Sequence, residues 1–449
     1  MILFFILRLY GITDPPLEIQ HNWRQCTGLM IARNFLTIDP NIFFPRLDDT
    51  CLNSNIVAGE FPLMSYLHYL ASLLFGYQHW YGRLINLIIS SLGILSFGAI
   101  LQFFFNKRIV WYSVLSLLVS PWLIYSRKMM PDTFSISLVF IGFWFALNFY
   151  KSKKWYNLVF FFIFSTLGCL AKIPAALYFA FFILLFYQLR KNQIRPYFIT
   201  ISLSISVSFF WYFVWGRYLS QHYGNWFNLG KPFVGGIIDI ITHPSQVFYN
   251  FIFNSFNSYF LFGLLLYGMF RLFRDRNFNL IKYIIIFYLV FTLYIFKAGY
   301  FFYHHNYYMI PIIPVFAFVI GYGLANSNNK FILLIFIAGI IESIANQQHD
   351  FRIKPDQIYK LELESILNRL DNGEPKSPVL INTQSNPQQL YLANRRGCYI
   401  SPDQMQDSNM LNSYKEKGYR WMVIDKYYEN ANSKKEIIYQ DKHFIVYKL

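Results

Sequence analysis

Polar and apolar positions divide this chain unevenly. From Gly11 to about Gln78 polar groups crowd the sequence; from Tyr81 to residue 346 apolar runs follow one another, each near the ~20 residues that cross a bilayer as a helix. Short polar or basic knots part these runs. We read spans at roughly 83–105, 109–126, 132–150, 155–170, 173–189, 196–215, 248–270, 279–297, 308–326 and 330–346. The start, MILFFILRLYG, has no basic leader and no small-residue cleavage site, so it reads as the last turns of another spanning helix, which makes about eleven. Phe and Tyr at the ends of several spans suit the headgroup belt.

Beyond residue 348 the runs shorten. The spacing predicts a helix over Pro355 to Leu370, a strand over Val379 to Asn382, a helix over Pro387 to Asn394 and a strand over Gly397 to Ile400. A helix over Met405 to Lys417, a strand over Arg420 to Asp425, and a hairpin of Glu436 to Gln440 with His443 to Tyr447 complete a small α/β unit. It contains no GxGxxG and no P-loop, so nothing supports a nucleotide site. The division expected is a membrane domain, residues 1–348, with a first external loop at 11–78, followed by a separate domain, residues 349–449.

Composition agrees with the pattern and removes one alternative. Of 449 residues, 55% are hydrophobic and only 14% charged, which excludes an ordinary soluble domain. Lys and Arg number 39 against 23 Asp and Glu, giving a formal net charge of +16. The excess lies in short connections: Lys107-Arg108, Lys151 to Lys154, Arg190 to Arg195, Arg271 to Arg276 and Ser327 to Lys330, with Asp275 the only acid among them. Such connections belong on the cytoplasmic side, so the charge sets orientation in an inner (plasma) membrane and does not mark a nucleic-acid partner. This orientation puts on the outer face the first loop, Arg127 to Asp132, Lys172, the loop at about 216–247, Lys297 to Tyr307 and the C-terminal unit. Four cysteines without a CxxC pair form neither a disulfide framework nor a zinc site; Cys26 and Cys51 share the outer loop, where they either pair or stay as free thiols.

The outer segments carry the chemistry. Asp14, Glu18, His21, Trp23, Arg24 and Gln25 fall close together, ahead of a helical stretch from Thr27 to Leu36; Leu63 to Phe75 reads as a second helix on the membrane surface. HNWRQCTGLMIARNF, FFPRLDD, GEFPLMSYLHYL, GRLINLI, SPWLIYSRKMMPD and LAKIPAALY, in that order and spacing, resemble bacterial membrane glycosyltransferases of the GT-C superfamily, related to protein mannosyltransferases and lipid A aminoarabinose transferases. The resemblance covers most of the first 190 residues, with weaker agreement at His305-Asn306-Tyr307-Tyr308 and Pro311. It implies an α-helical polytopic membrane protein of GT-C type, a polyprenyl-phosphate-linked sugar donor, and inverting transfer to a lipid, glycan or protein acceptor, with a carboxylate of the first loop as general base. In that family an Asp-Glu pair follows the first helix, and here Arg24-Gln25 stand in its place.

The base is therefore sought among Glu60, Asp132, Glu18 and Asp48. Each has a plainer reading: Glu60 and Asp132 as helix-start residues, Glu18 as a cap after two prolines, Asp48 with Asp49 as a solvated turn. Phosphate binding is expected of His21, Trp23, Arg24, Gln25, Arg127, Lys128, Lys172, His305 and Tyr308, with a headgroup anchor as the plainer reading for Trp23 and snorkelling for Lys172. A divalent cation, Mg²⁺ or Mn²⁺, held by Glu60 or His305 stays open. Two other functions compete: a lipid-linked glycan flippase or transporter, against which stands the gathering of charge at one face instead of mid-membrane, and a non-catalytic polyprenyl-phosphate-binding scaffold, kept open by the missing Asp-Glu pair.

Overall fold

The computed structural model describes residues 2–51, 54–180, 191–224, 230–428, 433 and 435–449. The expected span at 173–189, the connection Arg190 to Arg195 and the outer loop at 216–247 lie partly outside these residues.

The first half comprises α1 (Ile2–Leu9), α2 (Asn22–Thr37), α3 (Leu63–Phe75), α4 (Tyr81–Phe104), α5 (Lys107–Val119), α6 (Trp122–Tyr125), α7 (Pro131–Ser152) and α8 (Tyr156–Ala171). Among the described residues five helices are long and apolar enough to cross a membrane: α4, α7, Ile194–Tyr223, Phe278–Ala298 and Lys330–Phe351. Pro244–Asn254 and Tyr259–Arg274, bent by 88° to each other, meet the same criterion together, as a broken span or a re-entrant loop. The chain is thus a multi-pass membrane protein. Several expected spans are shorter or broken than their apolar content suggests, and each break has a cause. The run at 109–126 stops at Ser120, whose backbone is extended before Pro121, and resumes as the single turn α6. The run at 308–326 opens as a 3₁₀ turn, Asn306–Met309, and its helix starts only at Ile313, with Pro314 in the first turn where a missing N–H costs nothing. The bend between Pro244–Asn254 and Tyr259–Arg274 sits before Ser258, which is extended and caps the second helix by accepting from Leu261 N.

The two surface helices of the first loop are both present. α3 has the expected bounds, while α2 starts at Asn22, well before the expected Thr27, with His21 in the left-handed region at φ 55° as the hinge. α2 lies between the membrane helices and the C-terminal unit: Cys26, Leu29 and Met30 share one buried cluster with Phe134 and Leu138 of α7 and with Leu363, Ile366 and Leu390.

α7 and α8 form an antiparallel pair held at close range by small residues. A methyl group on Gly168 would lie 2.6 Å from the Ser135 carbonyl oxygen, and one on Gly142 would lie 2.5 Å from Ser165 Oγ. Only hydrogen at these positions permits the approach, as in other membrane helix pairs. The pairing brings the C-terminal end of α8 beside the N-terminal turn of α7.

The C-terminal unit follows the expected pattern closely. Its sheet comprises β1 (Val379–Ile381), β2 (Gly397–Tyr399), β3 (Trp421–Asp425), β4 (Ile437–Gln440) and β5 (Phe444–Lys448) in the order β2-β1-β3-β5-β4. β1 pairs parallel with β2 and β3, and β5 pairs antiparallel with β3 and β4. Alternate side chains feed two cores, as the pleat requires. Val379, Ile381, Val423 and Val446 face the helices Leu363–Asp371 and Gln388–Ala393; Leu380, Met422, Ile424 and Ile445 face Leu411 of the helix Ser408–Glu416.

Backbone contacts fasten this unit to the first loop. Lys354 N donates to Leu17 O at 2.8 Å, Gln388 Nε2 to Pro16 O at 2.9 Å, and Arg33 Nη1 to Tyr391 O at 3.0 Å.

Candidate active site

Four charged side chains from four elements meet in one row. Arg24, in the first turn of α2, donates to Glu60 Oε2 at 2.5 Å. Lys172 Nζ lies 3.5 Å from Glu60 Oε1 and donates to Asp132 Oδ1 at 2.6 Å.

Local sequence explains each position. Lys172 ends α8 because its backbone is extended ahead of the turn Ile173–Ala176, where Pro174 prevents the helix from running on. Asp132 sits in the first turn of α7 after Pro131, a helix start in both conformation and charge. Glu60 is pinned on both sides. Phe61 N donates to Leu170 O at 3.2 Å, and Trp211 Nε1 of the π-helical turn Phe210–Trp215 donates to Gly59 O at 3.0 Å.

The row runs from a cavity wall into protein. Glu60 and Arg24 keep 28% and 24% of their side-chain surface exposed, Lys172 11% and Asp132 4%. The cavity, about 280 Å³, is lined by Trp23, Arg24, Glu60, Lys172, His305, Tyr307 and Tyr308. Lys172 Nζ also stands 4.8 Å from the centre of the Tyr307 ring, a cation–π contact. Asp132 Oδ2, the innermost polar atom of the row, has no hydrogen-bond partner.

Burial alone would raise the Glu60 carboxyl, but Arg24 and then Lys172 outweigh it and hold the group below the usual carboxylate range. Glu60 attracts Arg24 in return and raises its guanidinium above the ordinary value. The histidines behave differently. Burial, with Lys128 and His305 nearby, lowers His21 to about 3; burial, with His304 and Lys172, lowers His305 to about 4. Both imidazoles are neutral at pH 7. His305 stacks on Tyr307 with ring centres 5.2 Å apart, and His21 meets the edge of the same ring at 4.9 Å.

An anion entering the cavity meets two cations that already share one carboxylate. Moving Arg24 and Lys172 toward that anion loosens their hold on Glu60 and makes it a stronger base, without any charged group leaving its element.

Of the remaining residues chosen from the sequence, Trp23 borders the cavity and the others are held by partners away from the row. Glu18 pairs with Arg83 at 2.6 Å, 2% and 0% exposed, while Gln25 donates to Glu18 at 2.9 Å and accepts from Arg83 Nε and Met129 N, both at 3.0 Å. Neither reaches the cavity. Asp48 pairs with Arg33 at 2.5 Å and accepts from Asn34 at 3.0 Å, anchoring the loop on α2. Arg127 donates to the carbonyls of Arg8 and Tyr10 and covers the Phe351 ring at 4.5 Å, joining α1 to the C-terminal segment. Lys128 is spent on Gln20 O and on Asp350 at 3.2 Å. His21 is half-buried against Tyr125 and Tyr307 and supports the ring cluster beside His305. Trp23, 38% exposed, borders the cavity.

Two residues escaped the sequence choice. Arg83 stands in GRLINLI, an arginine in the first turn of the apolar span α4, which is itself a signal. Tyr307 was passed over beside Tyr308, although it is the ring on which Lys172 and both histidines converge.

Glu60 and His305 do not build a metal site. The Glu60 oxygens face Arg24 and Lys172, so a cation would have to displace one of them; among the described residues three adjacent metal-ligating groups occur only at Asp49, Cys51 and Cys398. A separate, apolar cavity of about 370 Å³ lies among the spanning helices, bordered by Phe97, Phe140, Phe143, Leu147 and Tyr178.

Residues 60–215 match the family described as dolichyl-phosphate-mannose-protein mannosyltransferase. No curated protein matches the chain in sequence. Two solved structures share its fold along all of this chain and 97% of theirs: ArnT from Cupriavidus metallidurans in the apo state (13% identity, TM-score 0.58) and the same protein bound to undecaprenyl phosphate (12% identity, TM-score 0.59).

Proposed function

We propose that this chain is a transferase of GT-C type that moves a sugar from a polyprenyl-phosphate-linked donor to an acceptor hydroxyl on the outer face of the membrane. The observation that carries this reading is the Arg24–Glu60–Lys172–Asp132 row in the wall of the cavity. Transfer from a phosphate carrier needs a base for the acceptor proton and cations for the leaving phosphate, and the row holds both within one hydrogen-bonded chain.

Glu60 accepts the proton of the acceptor hydroxyl. The freed oxygen attacks the anomeric carbon, the bond from that carbon to the phosphate oxygen breaks, and polyprenyl phosphate departs against Arg24 and Lys172. Attack on the face opposite the phosphate inverts the anomeric centre. Asp132 touches no substrate; it holds Lys172 in place and charged. Trp23, exposed at the cavity rim, offers a ring face for the sugar, while the stacked Tyr307 and Tyr308 rings form part of the wall. The apolar cavity begins at Phe140, eight residues or about 12 Å along α7 from Asp132, where the first prenyl units would rest. The undecaprenyl phosphate bound to ArnT, a protein of this fold, supports such a carrier.

The test compares surface glycans by mass spectrometry in cells that lack the gene and in cells that carry wild-type or Glu60→Gln protein at equal membrane levels. The expected result is a single sugar that wild-type protein restores and Glu60→Gln does not. Full restoration by Glu60→Gln together with Asp132→Asn would sink the site assignment.

A further inference from the structure

The first loop also reaches the sheet, by an edge contact. Gly397 N donates to Asp48 O and Thr50 N donates to Gly397 O, both at 2.9 Å, so residues 48–50 run parallel to β2 as a short added strand with Asp49 opposite Gly397. Thr50 Oγ1 and Tyr419 OH, 2.8 Å apart, tie the same strand to the segment before β3. At the end of this contact Cys51 and Cys398 come together from positions 347 residues apart (398 less 51), with their Sγ atoms within 4.8 Å of each other and of an Asp49 carboxylate oxygen.

We infer that Cys51 and Cys398 form a disulfide that staples the first external loop to the edge of the C-terminal sheet. Of the two alternatives open for Cys26 and Cys51, the pairing is absent: Cys26 lies buried inside α2 among Leu29 and Met30, while Cys51 is exposed at the sheet edge.

Three features favour the bond. Both backbones are already fixed by the strand contact, so little conformational freedom remains to be lost, and the closing step to the ~2.05 Å bond falls to the side chain of the exposed Cys51. Tyr399 N donates to Cys51 Sγ at 3.1 Å and holds it toward β2. Hydrogen bonds from Cys51 and then from Tyr419 lower the Cys398 thiol below its ordinary value against the effect of burial, which favours the thiolate as nucleophile. In the step, an oxidised thiol-exchange protein or small disulfide forms a mixed disulfide with the exposed Cys51. The Cys398 thiolate then attacks Cys51 Sγ, the Cys51–Cys398 bond forms as the mixed disulfide breaks, and the reagent ends with two electrons and both protons, as a dithiol for an exchange protein or as two thiols for a small disulfide. The inference rests on the outward placement of this loop, where such oxidants persist, and not on the transfer reaction.

Peptide mapping tests it on full-length protein. In cells quenched with a thiol-blocking reagent, we expect a linked peptide containing Cys51 and Cys398, with Cys26 and Cys169 alkylated only after unfolding. Reductant should lower the Tm of wild-type protein by several degrees and leave that of Cys51→Ser unchanged. Purified protein treated with oxidised glutathione should form the same link. Failure to do so overturns the geometry; a link formed only in the purified protein, or both thiols shielded by stoichiometric zinc that a chelator removes, overturns the disulfide as the native state. None of these outcomes depends on sugar transfer.

Discussion

Two arginine–carboxylate pairs are reached by the neighbouring α2 residues Gln25 and Arg24, and they have opposite fates. Gln25 points into the pair Glu18–Arg83, while Arg24 points outward to Glu60. The inner pair has almost no exposed surface; Gln25 and the carbonyls of Ile12 and Asp14 complete its partners, and Met129 N in turn donates to Gln25. The outer pair keeps about a quarter of its surface open, faces a cavity, and shares its carboxylate with a second cation. The chemistry is the same in both; what differs is whether anything remains free to exchange. A closed pair holds α2 against α4 and the chain before it, whereas an open one can trade a carboxylate for a phosphate.

Substitutions separate the two most sharply. Glu60→Gln keeps size and hydrogen bonding but removes the base, so transfer should drop by about 10²–10⁴-fold with folding yield unchanged, as measured by rate and by size-exclusion profile. Arg83→Met should act in reverse, leaving Glu18 buried without its partner at a cost of about 3–5 kcal/mol in stability, read as loss of folded protein and a lowered Tm. A stable Arg83→Met protein with a specific loss of transfer would erase the distinction drawn here.

A smaller effect is expected at Gly168. Gly168→Ala adds a methyl group against the Ser135 carbonyl, should cost about 1–3 kcal/mol, and should slow transfer by moving Lys172 from Asp132, with Tm and rate falling together. Smallest is the pH response. The Glu60 carboxyl is held low in the folded chain, so the stability it contributes is complete above its ordinary pKa of about 4.3 and is lost as pH falls through the lower folded value. Wild-type Tm should therefore fall more steeply than that of Glu60→Gln below about pH 4.5, and parallel curves would show that Arg24 and Lys172 do not hold the carboxylate.

The sequence displayed the Lys172–Asp132 end of the outer row better than the inner pair, for a physical reason. Lys172 and Asp132 each interrupt an apolar run at a helix end, and that position alone announces a charge with a task. Glu18, Gln25, Asp48, Arg127 and Lys128 look equally suggestive along the chain, but their partners, Arg83, Met129, Arg33, Tyr10 and Asp350, arrive from other elements, and no local pattern records that they are satisfied. The C-terminal unit was legible strand by strand because short alternating runs bounded by turn residues leave little choice. The count of about eleven spans was not matched by helix length: hydropathy registers apolar content, while proline and extended residues cut the helices that content would otherwise form.

The close approach of α7 and α8 has a consequence outside the protein. The first helix has 22 residues and the second 16, rising about 33 and 24 Å, so the shorter one falls below a hydrocarbon layer of about 30 Å. A membrane accommodates the shorter helix by thinning around it, while the longer one tilts. Because Asp132 begins one helix and Lys172 follows the other, tilt is transmitted directly to the distance between them. Lipid chain length then becomes a control on turnover, and reconstitution in bilayers of graded thickness would display it as a rate optimum.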